Sequence, residues 1–216
     1  MLKVSEIEPD IQHEFSSRLE PLGFQRLGRH KWLRSQKHPV RELFGLTSLK
    51  GGRYCPVWGF SSGFVPSFKG QTFRRQSTDK NAINDLVIDP IDITGLVPSL
   101  TFRFISGYDT EIPTKDIRAC AEYFVPLALA DFDRVQSVRN FCHFFIERSE
   151  IQYRRFMFHN YVQHQLAFGF VLILMGRRDE GVERIREFCR SMDTNFEDRI
   201  LSECICHAES HGATST

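Results

Sequence analysis

The apolar residues of this chain change their spacing twice, and the order of those changes restricts the folds open to it. Between residues 3 and 20 they step by three or four positions (Val4, Ile7, Ile11, Phe15, Leu19), the stripe of an amphipathic helix. Residues 30–60 then break into short runs with strand character: HKWLR at 30–34, a run at 40–49 around Phe44, Leu46 and Leu49, and VWGF at 57–60. Turn signals divide them, Lys37-His38-Pro39 and Lys50-Gly51-Gly52-Arg53, the second being the Gly-Gly pair expected of a hairpin. From Thr114 onward the spacing is helical again. Segregated patterns of this kind predict an α+β fold: an N-terminal helix, an antiparallel sheet of four to five strands, then a C-terminal helical layer.

In that layer, Pro113-Thr114 supplies an N-cap for a helix that Pro126 is expected to disturb, and Asp133 caps a second running through Val138, Phe141, Phe145 and Ile146. Residues 159–175 and 179–192, joined at Gly176, predict a helical hairpin. Residues 61–98 are rich in Ser, Gly, Pro and Asp and read as a long connection, with short strands at 64–68 and 86–88. SLTFRFI at 99–105 alternates as the last strand. The expected division is residues 1–112 as helix plus sheet, residues 113–210 as a helical region packed on it as one compact unit, and a disordered tail at 211–216.

Charge is distributed as unevenly as pattern. Residues 21–78 carry eleven Lys and Arg against one carboxylate, Glu42, a net of +10 in a chain whose total is +1. Residues 79–133 answer with ten acids against four bases, a net of −6. A one-sign surface attracts opposite charge over about a Debye length, so the basic block points to an anionic partner, unless the acidic stretch covers it from within. Arg26, Arg29, Lys31, Arg34 and Lys37 surround Trp32, an arrangement able to hold phosphates and stack a base. With Arg41, Arg53, Phe64, Phe68, Arg74 and Arg75 they form the predicted partner-binding set.

Other constellations are weaker. Asp85, Asp89 and Asp92 could gather around a divalent cation, but their spacing is not that of an EF-hand loop and turn hydrogen bonds are the simpler role. Cys204, Cys206, His207 and His211 offer zinc donors at a spacing unlike the usual C-x-x-C pairs. Cys142 and His143 are neighbours on one helix and point in different directions, so they make no nucleophile and base pair. No cofactor, metal or catalytic residue is therefore predicted. The longest apolar run, residues 166–175, is about half of a membrane span. Acids stand where a secretory signal would be apolar, and the six irregularly spaced cysteines read as reduced thiols, so a cytoplasmic location is expected.

The string FSSRLEPLGFQRLGRHKWLR, residues 15–34, resembles the opening of small bacterial proteins grouped as domain-of-unknown-function family 4304. There a helix ends at a Gly-Phe pair, here Gly23-Phe24, and a basic link leads into a strand. Pro126, Leu127, Asp131 and Asp133 are similar to that family's helical end. The resemblance covers about the first 145 residues, leaves the hairpin after His159 as an extension, and implies an α+β fold without assigned enzyme activity. Proteins of this type often accompany bacterial toxins. The expected function is a non-enzymatic binding protein, immunity or antitoxin-like, that occludes an acidic surface of a cognate protein. A nucleic-acid-binding accessory protein using the 26–41 patch is the alternative, a metal-dependent hydrolase the second, and self-association as a homodimer a further interaction to test.

Overall fold

The computed structural model describes residues 1–36, 39–69, 72–74, 78–88, 101–153, 161–194 and 198–212. Its elements are α1 (Val4–Leu19), β1 (Gln25–Gly28), β2 (Lys31–Ser35), β3 (Val40–Leu49), β4 (Arg53–Ser62), β5 (Ser67–Lys69), β6 (Thr72–Arg74), β7 (Leu86–Ile88) and β8 (Phe102–Arg103). Five further helices follow: α2 (Thr114–Asp133), α3 (Val138–Tyr153), α4 (Tyr161–Leu174), α5 (Arg178–Ser191) and α6 (Asp198–Gly212). The main sheet is antiparallel, in the order β1-β2-β3-β4-β7 with β8 also paired to β4. β5 and β6 form a separate hairpin. The α+β class is as the spacing predicted.

Two compact units divide the chain, and neither is contiguous. The first comprises Met1–Arg34, Glu42–Trp58 and Ile88–Phe132; the second comprises Ser35–Arg41, Gly59–Val87 and Asp133–Thr216. The division between them passes within β2, β3, β4 and β7. Of the tail expected at 211–216, residues 211 and 212 end α6 and residues 213–216 lie outside the described residues.

In the first unit, Ile7, Ile11, Phe15 and Leu19 of α1 are all buried, as the stripe required. Phe15 meets Trp32 of β2 and Phe44 of β3 at centroid distances of 5.7 and 5.6 Å. The Trp32 indole donates to Ser16 Oγ at 3.0 Å, so the ring's polar edge is satisfied inside the core. α2 buries Ile117, Cys120, Phe124, Ala128 and Phe132, with Phe132 against Phe24. Its Asp131 accepts a hydrogen bond from the Trp58 indole at 2.9 Å. α2 continues through Pro126 to Asp133, so the expected disturbance does not end the helix.

In the second unit, Phe60 and Phe64 pack edge to face on Phe141 of α3, at 5.9 and 6.0 Å. Ser137, not Asp133, opens α3, its Oγ accepting from the Asn140 backbone N–H at 3.1 Å. α4 is apolar on nearly every face, and Leu166, Ala167, Phe170, Val171 and Leu172 are all buried. The hairpin with α5 turns at Gly176, whose φ of +79° is a conformation glycine adopts without strain. No helix among the described residues is long and apolar enough to cross a membrane.

Candidate functional site

The basic block is not one surface. Arg34 and Glu42 form an ion pair in which the carboxylate is only 1% exposed, and the same guanidinium donates to Leu22 O and lies 4.7 Å over the Phe24 ring. Arg41 pairs with Asp79 at 2.9 Å, and Ser35 Oγ donates to that carboxylate. Asp79 belongs to the acidic stretch, so part of the block is neutralised from within the second unit. Trp32 is 0% exposed and Phe64 1%, which removes both rings from any contact surface. Phe68 is half-buried against Phe188 at 5.3 Å, and Arg74 is exposed in the second unit. Lys37 and Arg75 lie outside the described residues.

What remains outward in the first unit gathers at one end of its strands. The connection from β2 to β3 occupies one end, so the β1–β2 turn and the β3–β4 turn share the other. Leu46 N–H donates to His30 O at 3.0 Å and the His30 and Tyr54 rings meet edge to face at 5.7 Å, tying the first turn to β3 and β4. In the first turn Arg26 donates to Gly28 O and Arg29 O, bracing its own hairpin. Arg29 is 74% exposed at the side chain and lies 3.1 Å from Glu8 Oε1. Burial pushes the Lys31 amine below its ordinary pKa. Burial likewise lowers His30; Glu8 opposes that shift, while Arg26 and Arg29 reinforce it.

The second turn holds Lys50, Gly51, Gly52 and Arg53. Both glycines have positive φ, 78° and 71°, and a Cβ on Gly52 would stand 2.4 Å from Phe104 O. That contact lets β8 close against the hairpin: Phe104 N–H donates to Gly52 O at 2.7 Å and Arg103 Nε to Gly51 O at 3.0 Å. The pairing sets Arg53 directly opposite Arg103 and Tyr54 opposite Phe102. Tyr54 and Phe102 are buried and stacked at 5.0 Å, so by strand alternation the two arginines share the other face. Lys50 and Arg103 are exposed and Arg53 half-buried, and among the described residues none of the three meets a carboxylate. Tyr108, 79% exposed, stands in the turn after β8, where its N–H donates to Ile105 O. Lys50, Arg103 and Tyr108 were not among the predicted contact residues. The alternation of SLTFRFI carried the signal for Arg103, since it sets that side chain opposite in facing to Phe102 and Phe104.

The alternative sites resolve differently. Asp85 is buried and structural: its carboxylate accepts from the Ser62 N–H and hydroxyl and from Gln163 Nε2 at 2.7 Å. Asp89 and Asp92 lie outside the described residues. No group of three or more His, Cys, Asp or Glu among the described residues could hold a metal ion. Cys204, Cys206 and His207 sit on α6, where Cys206 is exposed and Cys204 half-buried. Cys142 is buried, its thiol pushed up to about 12, while His143 is exposed on another face of α3. Ser149 Oγ and His164 Nε2 lie 3.1 Å apart, the spacing of a nucleophile and base, yet both residues are buried. Ser149 is bound to Phe145 O at 2.7 Å and His164 is stacked on the Phe145 ring, the geometry of a packed polar node.

Compared with known proteins, the chain matches no family model, no curated protein and no solved structure.

Proposed function

We propose that this protein is a non-enzymatic binding protein, immunity or antitoxin-like, whose hairpin-end cations dock on an acidic surface of a cognate protein. The observation that carries this reading is the partition of the basic block. Arg34 and Arg41 are matched by Glu42 and Asp79, whereas Arg29, Lys50, Arg53 and Arg103 stand at the turns of the first unit with Glu8 as their one ion-pair partner among the described residues. Solvated cations at loop ends speed and orient association more than they stabilise a fold. Burial of Trp32 counts against the nucleic-acid alternative, because the one aromatic within the 26–41 cluster is unavailable for stacking on a base.

The test is affinity capture from a lysate of the organism of origin with the wild-type protein and with the double charge reversal Arg29→Glu, Lys50→Glu. Loss of one specific nuclease-resistant protein in the double variant is expected. Equal capture by both would remove the surface, and capture abolished by nuclease would hand the patch to nucleic acid.

A further inference from the structure

We infer that the cross-strand pair Arg53 and Arg103, with Lys50 in the adjoining hairpin turn and Tyr108 in the turn after β8, is the centre of the docking surface and grips a carboxylate side chain of an acidic protein segment. This rests on the reading above and names its ligand chemistry. Like charges directly opposite in an antiparallel pair oppose the pairing that holds them, so a sheet places two arginines there at a cost unless something anionic sits over them. No described residue does. Arg103 is fixed by its Nε bond to Gly51 O, which leaves its two terminal nitrogens as donors, and Arg53 faces it from a half-buried position. Two arginines opposite one another on the same sheet face suit a planar, two-oxygen anion, which each can meet through paired N–H groups. Tyr108 adds a large exposed ring with a hydroxyl, and Arg with Tyr is the composition that dominates interface energetics.

The size of the feature selects between anions. A nucleic-acid strand is held by a line of cations following successive phosphates. Here the charge is confined to one hairpin and one short strand, Glu8 stands at the neighbouring turn, and Arg34 and Arg41 are engaged internally. A compact cationic spot on one hairpin and one short strand fits one or two acidic side chains.

The full-length protein is titrated with a capped hexaglutamate peptide and, separately, with a 20-nucleotide single-stranded DNA. Wild type is compared with Arg53→Glu, Arg103→Gln and Arg139→Gln, the last an exposed arginine of α3. Peptide binding is expected to weaken about tenfold or more in the first two variants and to be unchanged in the third. Arg53→Glu turns a like-charge pair into an ion pair, so its Tm should rise by about 1–4 °C while binding is lost. A fall in that Tm would mean that the chain itself already compensates the pair, and would overturn the inference. Peptide binding unaffected by Arg53→Glu and Arg103→Gln would remove this site while leaving the acidic-partner reading to Arg29. Binding of the DNA in place of the peptide, or of neither, would overturn both.

Discussion

Glu14 shows how a carboxylate is kept in the first unit's core. It sits on α1 among Ile11, Phe15 and Ser16, 5% exposed at its side chain, with Arg18 Nη1 at 2.8 Å and Arg118 Nε at 3.0 Å. Burial works against its ionisation, but the hydrogen bonds and charges of Arg118 and Arg18 outweigh that and hold its pKa below the ordinary 4.5. Glu14→Gln should therefore cost about 1–3 kcal/mol in urea denaturation, tempered because Arg118 is half exposed. His164 makes the opposite choice. Burial and the Arg184 charge lower its pKa from 6.5 to about 4, against a hydrogen bond to the Asp85 backbone that favours the proton. The unfolded chain thus takes up this proton before the folded one, and the stability held at neutral pH is lost as pH falls from 6.5 towards 4. The loss should reach about 3 kcal/mol, followed below 4.5 by the contribution of Glu14. Denaturation midpoints that stay constant from pH 7 to pH 5 would contradict the His164 assignment.

Elements meet closely where side chains are missing, and the α4–α5 hairpin depends on this. A Cβ on Gly169 would lie 2.5 Å from Ile185 Cγ1 and 2.9 Å from Gly181 O; one on Gly181 would lie 2.5 Å from Gly169 O. Alanine improves helix propensity by about 1 kcal/mol, yet here it drives a methyl into the facing backbone. Gly169→Ala and Gly181→Ala should each lower stability by about 1–3 kcal/mol, whereas Gly28→Ala, with nothing within 4 Å, should change thermal unfolding little. The hairpin itself was legible, since a three-to-four spacing and Gly176 are local signals. So were β3 and β7, whose bounds match the runs at 40–49 and 86–88. The β5–β6 hairpin was not, because three-residue strands give alternation too little length to register. The site was half legible. Its arginines stand out in the sequence, but Trp32 among them suggested a stacking platform, and only tertiary packing shows Trp32 and Leu33 buried together. The pairing of Arg53 with Arg103 joins residues fifty positions apart, a relation that composition and spacing do not encode.

At the scale of the whole molecule, the two units are each assembled from three separated chain pieces, and this sets what can fold by itself. The helices after Asp133 include a hairpin with the apolar α4 at its centre, yet they do not close their own core. Phe141 of α3 is closed by Phe60 and Phe64, Gln163 of α4 spends its amide on Asp85 and on Pro66 O at 3.1 Å, and His164 bonds the Asp85 backbone. All of these partners come from residues 59–87. A fragment of residues 133–216 would expose those rings and leave Gln163 and His164 without their acceptors, a penalty that helix propensity alone does not offset. Expressed alone, it should keep helical circular dichroism but melt without a heat-capacity peak. The full chain should show a cooperative transition. A cooperative transition in the fragment at a temperature near that of the whole protein would show that the 59–87 segment is dispensable to the second unit's core.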